Sequence, residues 1–249
     1  MKLWTAPQLT ILASPTFAMP TAWPIQWPDE NAATDAEALG EYAGRLCYLS
    51  QHNPARKTTA EYTRTILEHG HGSVLEHASV SILIEGVSRA LTHELIRHRA
   101  GTAVSQVSQR FVDASDADFV VPPLLLTNAD ALAQWSTAMA SALSRYQTLV
   151  ETLRSDPRLA ELPSTLARKR AREAARGVLP NSTETKLVWT ANLRALRHVI
   201  TLRGDVSADL EIHRFAAALL EAVRPIAPAV FADFATDSHG SLAPQYPKV

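Results

Sequence analysis

Residues 97–111 read RHRAGTAVSQVSQRF and hold the densest group of cationic and hydroxyl side chains in the sequence. Arg97, His98 and Arg99 stand at the end of a helix predicted over 87–99. Arginine offers a rigid fork of donors that fits phosphate or pyrophosphate oxygens, and serine hydroxyls can fill the remaining acceptor sites. A cationic helix end that complements the helix macrodipole would show the same spacing. The spacing alone leaves both interpretations open.

The segments around this stretch predict an α+β fold, a mainly antiparallel sheet flanked by helices. Residues 78–85 (ASVSILIE) alternate and are β-prone, which predicts a strand that Gly86 breaks, and a further strand is predicted over 105–112. Predicted helices lie at 34–50, 58–69, 128–155, 163–178, 184–202 and 208–224. Since the sequence shows no repeat and no linker, we expect a single domain over residues 1–249.

The composition narrows the classes of protein. Lys and Arg number 24 against 25 Asp and Glu, so no global charge attracts nucleic acid or membrane, and an anion site must be built locally. The single cysteine, Cys47, excludes an internal disulfide and is expected to be a small buried side chain in a reducing cytosol. Without a targeting segment or a span, the sequence predicts a soluble cytoplasmic protein. Gly240, Pro244 and Pro247 predict that the last dozen residues form a loose tail.

A second candidate site is HGHGSVLEH, residues 69–77. His69, His71 and His77 invite a metal interpretation, although the Cys or carboxylate partners of a zinc site are not obvious. The glycines beside Ser73 would instead permit close approach of backbone to a phosphate. Ordinary helix capping is the third reading of this stretch.

A third region is basic. The cations between residues 168 and 176 are Arg168, Lys169, Arg170, Arg172 and Arg176. They could form an RNA-binding stripe, but no aromatic side chains are interleaved for base stacking, and a solvated basic helix face is the commoner outcome. Arg176 and Arg203 each lie at the end of a predicted helix beside apolar neighbours, so each is expected to pair with an acid or with a ligand anion.

These regions, in this order, resemble the flavin-dependent thymidylate synthases. The hallmark of that family is an RHR triplet, a short spacer, an Asn-Glu or Ser-Gln pair, a Ser, and an Arg usually followed by Tyr. Those positions are Arg97-His98-Arg99, the spacer AGTAV, Ser105-Gln106, Ser108, Arg110 and Phe111. The family's further elements stand at His69 to Ser73, Ala175 to Pro180, Asn192 with Arg194, and Leu202-Arg203. The resemblance covers roughly residues 35–235.

The resemblance implies an activity. Enzymes of this family bind FAD, reduce it with NADPH and take a one-carbon unit from methylenetetrahydrofolate. The carbon is delivered to C5 of the uracil ring of dUMP, and reduced flavin supplies the hydride. No cysteine nucleophile is needed, and no metal is expected. The family assembles as a homotetramer whose active sites draw on several subunits.

The resemblance also implies the site residues. FAD would be held by His71, Ser73, Arg97, His98, Arg99, Gln106, Asn192, Arg194 and His198. The nucleotide would be held by Glu94, Gln106, Ser108, Gln109, Arg110, Arg176 and Arg203. Arg203 would be the catalytic residue at the pyrimidine, because a fixed cation there favours the anionic form of the N3–C4=O edge and raises electron density at C5.

This sequence departs from the family pattern on the nucleotide side. Ala103 and Val104 replace the usual Ser and Tyr before the Ser-Gln pair, and Phe111 replaces the usual Tyr after the hallmark arginine. These departures suggest an alternative substrate, UMP, which is the substrate of the flavin-dependent UMP methylases of nucleoside-antibiotic pathways. A pocket with no group that rejects the ribose 2′-hydroxyl discriminates by only about 1–3 kcal/mol. The family default favours dUMP.

Overall fold

The computed structural model describes residues 1–27, 33–50 and 58–249, and the predicted combination of helices and sheet is confirmed there. The strands are β1 (Leu3–Trp4), β2 (Gln8–Ala13), β3 (Ser79–Ser88), β4 (Thr102–Gln106), β5 (Phe119–Val120), β6 (Glu184–Asn192), β7 (Phe234–Thr236) and β8 (Leu242–Pro244). The α-helices are α1 (Asp35–Cys47), α2 (Thr59–His69), α3 (Arg89–Leu95), α4 (Ala129–Arg154), α5 (Pro157–Ala160), α6 (Ser164–Ala175), α7 (Leu193–Arg203) and α8 (Leu210–Val223). Short 3-10 helices span Gly72–Glu76, Pro123–Thr127 and Arg176–Val178.

A four-stranded sheet has the order β2-β3-β6-β4. Its two central strands are antiparallel: Ser81 contacts the hydroxyl of Thr190 at 2.8 Å, whereas Glu85, later in β3, binds Lys186, earlier in β6. β7 and β8 also pair antiparallel, and β1 pairs with β5 in parallel. The central pair therefore has the orientation that the sequence predicts.

The helix predicted over 184–202 is wrong in its first half, which is strand β6. Thr185, Leu187 and Trp189 are buried, each at most 2% exposed, and the residues between them are less buried, so the burial has the period of two of a strand. The strand ends at Asn192, whose side-chain oxygen accepts a hydrogen bond from the backbone of the first turn of α7. The apolar residues of this stretch fit both periods, and pairing with β3 and β4 selects the strand.

The sequence predicts that Gly86 breaks the strand, and this is wrong: Gly86 lies within β3, at φ 67°. A Cβ atom there would lie 2.5 Å from Cε3 of Trp4 and 2.9 Å from the carbonyl oxygen of Ala6. Glycine is therefore required at this point both by the backbone conformation and by the close approach of the residues around β1.

We expect Gly86→Ala to destabilise the protein by about 2–4 kcal/mol, the sum of overpacking and of a strained backbone. Urea unfolding would measure the change. Gly177→Ala is the matched control, because a Cβ atom at Gly177 has no neighbour within 4 Å and no positive φ. Equal stabilities of the two variants would contradict this account of Gly86.

Two further boundaries differ from the sequence prediction. α3 ends at Leu95 rather than at 99, so the cationic triplet follows the helix in a turn. The strand predicted over 105–112 is β4, which begins at Thr102 and ends at Gln106. Cys47, predicted to be buried, is exposed at the end of α1, because it lies on the solvent side of an amphipathic helix.

The chain divides into two compact units. The first comprises residues 1–7, 85–95 and 105–187. In it, α4 packs against α6, with Tyr146, Val150 and Ala175 buried together. The Tyr146 hydroxyl accepts a hydrogen bond from the backbone of Ala114 at 3.2 Å, which satisfies its buried polar atom.

The second unit comprises residues 8–84, 96–104 and 188–249. α7 packs against α8 and the 3-10 helix Gly72–Glu76, and α1 packs against α2. Trp189, Ile200 and Phe215 are fully buried in this unit. The apolar stretch QLTILA predicts a short buried strand at residues 8–13. The strand is present as β2, but it lies at the edge of the sheet with mostly exposed side chains. The prediction of a single domain over 1–249 stays a prediction.

The loose tail predicted for the last dozen residues is wrong. Within them, β8 pairs with β7, and the backbone N–H of Tyr246 donates to the carboxylate of Asp233 at 3.1 Å. The Tyr246 hydroxyl donates to Glu68 at 2.9 Å. Gly240 and Pro247 lie in bends or turns, Pro244 ends β8, and the contacts on either side hold the segment on the second unit.

Candidate active site

The cationic triplet is held against the start of α7 in the second unit. Gly101, just after the triplet, has φ 69°, and a Cβ atom there would overlap the side chain of Asn192. The backbone N–H of Asn192 donates to the carbonyl oxygen of Gly101 at 3.0 Å. Asn192 is only 8% exposed and caps α7. The turn after the triplet and the first turn of α7 are therefore joined through backbone and side chain.

The triplet and one face of α7 line an open cavity of about 580 Å³. Its lining residues are Arg97, His98, Arg99, Ala100, Ala195 and His198. The rings of His98 and His198 are 5.6 Å apart between centroids. Two guanidinium groups and the first turn of a helix at one cavity suit an anionic ligand such as a diphosphate. The structure thus brings together four residues of the predicted FAD group.

His98 orients Arg203, which lies at the opposite end of α7. Nε of Arg203 donates a hydrogen bond to Nε2 of His98 at 2.9 Å. Burial, Arg203 and His198 lower the pKa of His98 to about 4. His98 is therefore neutral at pH 7, with Nε2 as the acceptor and the proton on Nδ1. This bond fixes the plane of the guanidinium group that the sequence predicts to be catalytic.

The free energy of unfolding is expected to fall as the pH is lowered from 6.5 to 4. The pKa of His98 is about 4 in the folded protein and 6.5 in the unfolded chain, so the stabilisation is complete above pH 6.5 and is lost towards pH 4. We expect this group to contribute about 1–2 kcal/mol after allowance for solvent screening. Urea unfolding between pH 4.5 and 7.5 would show a shallower decline in His98→Gln. An identical fall in the free energy of unfolding in both proteins would contradict the lowered pKa of His98.

The His-Gly-His loop lies beside the start of α7. His71 is exposed just before the 3-10 helix that follows α2, and Ser73 is exposed within that helix. A Cβ atom at Gly72 would lie 3.1 Å from Nε of Arg194, whose guanidinium group also binds Glu76 at 2.5 Å. The structure therefore places Ser73 next to the glycine that Arg194 approaches.

Two histidines of this loop contact each other and the backbone. The ring centroids of His69 and His71 are 5.8 Å apart, and Nδ1 of His69 contacts the carbonyl oxygen of Thr65. Within residues 1–27, 33–50 and 58–249, no three His, Cys, Asp or Glu side chains are grouped closely enough to hold a metal ion.

The predicted nucleotide residues, apart from Arg203, lie in the first unit. The side-chain amide of Gln106 donates to the hydroxyls of Thr92 and Thr185, at 3.1 and 3.2 Å. Glu94 is half-buried on α3, and Gln109 is half-buried in the turns after β4. The hydrogen bonds of Gln106 fix its side chain on the sheet.

Arg110 is already paired with an acid. Its Nε lies 2.9 Å from Oε2 of Glu173 on α6, and its backbone N–H donates to the hydroxyl of Ser108. The ion pair is partly exposed, so it is weak, and a phosphate could replace the carboxylate. Ser108 and Arg110 therefore form a small group suited to an anion.

Arg89 is a further candidate residue that the sequence motifs do not single out. This residue begins α3 at the end of β3, is half-buried, and has a lowered pKa because of burial and the neighbouring charge of Arg176. A bound anion would relieve the repulsion between these two positive charges. The sequence signal for this residue is its position at the junction between a predicted strand and a predicted helix. That signal is weaker than the three consecutive cationic residues at 97–99.

The basic run before Arg176 is largely engaged within the chain. Arg172 donates to the carbonyl oxygen of Phe111 at 2.7 Å and to Asp113 at 2.9 Å. Arg170 binds Glu173, and Nζ of Lys169 lies 4.2 Å from the centre of the Phe111 ring. These contacts favour a structural basic helix face over an RNA-binding stripe.

Comparison with known proteins identifies the family. The family model of the thymidylate synthase complementing proteins matches residues 31–229. Flavin-dependent thymidylate synthases of Mycobacterium sp. (strain JLS) and Mycolicibacterium gilvum are 47% and 48% identical, over 241 and 213 residues. These alignments cover 92% and 83% of this chain and 91% and 84% of the relatives. The chain therefore belongs to the flavin-dependent thymidylate synthase family and is an enzyme of the methyltransferase type that this family contains.

A solved structure supports the fold. A UMP/dUMP methylase from Streptomyces cacaoi, bound with 5-Br dUMP, matches with a TM-score of 0.68 at 21% identity. The match covers 93% of this chain and 96% of that one. A search for transmembrane helices in the described ranges finds none with the length and apolar character that a span requires.

Proposed function

We propose that this chain converts dUMP to dTMP, with bound FAD, methylenetetrahydrofolate as carbon donor and NADPH as reductant. In balance, dUMP, methylenetetrahydrofolate, NADPH and a proton give dTMP, tetrahydrofolate and NADP⁺. The family membership supports the reaction type. The single observation that carries the proposal is the Arg203–His98 hydrogen bond beside the cation-lined cavity, because it fixes a permanent cation next to a site for a large anion.

The residues of the second unit fit FAD. The cavity of about 580 Å³ carries Arg97 and Arg99 for a diphosphate, and Ser73 and Arg194 lie on the adjoining stretch. The proposed ligand residues in this unit are His71, Ser73, Arg97, His98, Arg99, Asn192, Arg194 and His198. The bound flavin would supply the redox chemistry, and the protein would bind, orient and polarise.

Arg203 is proposed to polarise the pyrimidine. Neutral His98 accepts from Nε of Arg203 and so holds the guanidinium plane before substrate arrives, which removes the cost of reorienting it during the reaction. A fixed cation at the N3–C4=O edge favours negative charge there and raises electron density at C5. C5 then becomes nucleophilic without attack by a cysteine on the ring.

The phosphate of the nucleotide is proposed to bind the arginines of the first unit. Arg89 and Arg176 form a like-charge pair, and Arg110 has an exchangeable acid partner. Glu94, Gln106, Ser108 and Gln109 complete the proposed nucleotide group, and Gln106 is also proposed to contact FAD.

Spectroscopy and product analysis test the proposal directly. The purified protein, reconstituted with FAD if necessary, should absorb in the flavin region and be bleached by NADPH. With dUMP and methylenetetrahydrofolate added, it should form dTMP. A colourless protein that cannot be reconstituted with FAD would overturn the proposal.

UMP is the second candidate substrate. Phe111 replaces the family's usual Tyr, and the structural neighbour is named as a UMP/dUMP methylase. Turnover of UMP and dUMP under identical conditions would decide between them. Rates with UMP that equal or exceed those with dUMP would overturn the preference for the deoxynucleotide.

We also propose that the enzyme is a homotetramer with active sites shared between subunits. Ligand residues carried by separate segments of the chain support this assembly. Light scattering of the purified protein should give four times the chain mass of 27.2 kDa. A monomeric mass in an active preparation would overturn this proposal.

A further inference from the structure

Residues 241–249 run alongside α7 within the second unit, and we call them the C-terminal segment. Its first contact is at the end of α7, where the backbone N–H of Leu242 donates to the carbonyl oxygen of Gly204 at 2.8 Å. A Cβ atom at Gly204 would lie 2.7 Å from Cβ of Leu242. The segment thus packs directly on the residue that follows Arg203.

The middle of the segment is anchored to a buried ion pair. Arg197 on α7 is fully buried and binds Asp233 with both terminal nitrogens, at 2.6 and 3.0 Å. The same guanidinium group donates to the carbonyl oxygen of Tyr246, and the Tyr246 hydroxyl reaches Glu68 on α2. The segment is therefore fastened to α7 and to α2 before it reaches the His-Gly-His loop.

The end of the segment packs on the two glycines of that loop. A Cβ atom at Gly70 would lie 3.3 Å from Cβ of Lys248. A Cβ atom at Gly72 would lie 2.9 Å from Cγ1 of Val249 and 3.1 Å from Nε of Arg194. Val249 and Arg194 therefore both lie against Gly72, and the absence of a side chain at the glycines makes this contact possible.

We propose that Lys248 and Val249 are positioning residues for FAD, acting through the loop of Gly70 and Gly72 and through Arg194. The inference rests on the proposed function, because it needs FAD to bind at this loop. A loop with two glycines has a large conformational freedom, and ordering it on binding would weaken affinity. Packing by the C-terminal segment orders the loop in advance, so that FAD meets a preformed site.

The test compares FAD affinity in the full chain and in a Lys248→Gly/Val249→Gly variant. We expect the variant to bind FAD about 5–20-fold more weakly, the effect of leaving a few groups to be ordered on binding. The unfolding temperature of the apoprotein should stay almost unchanged, because the anchor at Arg197, Asp233 and Tyr246 remains. Fluorescence titration of the apoprotein with FAD and thermal unfolding supply the two readouts.

Two further variants serve as controls. Ala243→Gly alters an exposed residue of the same segment at a distance in sequence from the loop contacts, and it should leave FAD affinity unchanged. Val249→Ile keeps an apolar side chain at Gly72 and should retain FAD affinity close to that of the unmodified chain.

The outcomes separate the two proposals. If the unmodified chain fails to bind FAD, the proposed function falls, and this inference falls with it. If the unmodified chain binds FAD and the double-glycine variant binds it equally well, only the inference is overturned. A large drop in the unfolding temperature of the variant apoprotein would also overturn it, because the segment would then act on the fold rather than on the FAD site.

Discussion

Replacing Arg203 with alanine is expected to lower the rate of dTMP formation about 10²–10³-fold, the usual effect of removing one preoriented donor at a site of developing charge. FAD should remain bound, because Arg97 and Arg99 at the cavity are untouched. The rate of product formation and the flavin absorbance per chain, measured on the same preparation, would separate the two effects. The pKa of His98 should rise in this variant, since a neighbouring cation that lowers it has been removed.

Arg158→Ala is a suitable control for this experiment. Arg158 lies on α5, has a side chain that is 87% exposed, and pairs with Asp156. Its removal should leave both flavin content and turnover unchanged. If Arg203→Ala lost flavin together with activity, Arg203 would be an FAD ligand and its proposed role at the pyrimidine would be wrong.

Replacing Arg197 with alanine is expected to destabilise the protein by about 3–5 kcal/mol, because it leaves a buried carboxylate without its partner. The side chains of Arg197 and Asp233 are 0% and 6% exposed. The guanidinium group also satisfies the carbonyl oxygens of Val230 and Tyr246. Urea unfolding followed by circular dichroism would measure the loss, which is a large part of the 5–15 kcal/mol typical of a folded domain.

Removing both charges provides the comparison. Arg197→Met combined with Asp233→Asn should cost less than Arg197→Ala alone, because no unpaired charge is left in the core. A loss below about 1 kcal/mol in Arg197→Ala would contradict this account of the buried ion pair.

The helices were predictable where the sequence carries its own start signals. Thr34 and Thr58 each form a capping box with a glutamate three residues later, and Asn128 caps α4. These interactions are local, so they appear in the sequence. β6 was not predictable from the same kind of signal, because a stretch rich in apolar residues fits helix and strand alike, and its partners β3 and β4 are distant in the chain.

The candidate site also combines features that short motifs predict with features that depend on residues distant in the chain. The RHR triplet, the His-Gly-His loop and Arg203 could be found from the order of short motifs. The hydrogen bond between Arg203 and His98 joins residues 105 positions apart, and only the fold reveals it. The electrostatic effect of Arg176 on Arg89 and the packing of Val249 on Gly72 also join residues distant in the chain, and no local pattern signals them.

The junction of Gly101 with Asn192 has a consequence for how the spacer AGTAV can vary. Because that junction leaves no room for a Cβ atom at Gly101, it fixes the turn after the cationic triplet. The conformation of that turn therefore does not depend on the side chains further along the spacer. Ala103 and Val104 are exposed on β4, which borders the sheet and has no strand beyond it among the residues described. The side chains at 103–104 can therefore vary while the turn that holds the triplet keeps its geometry.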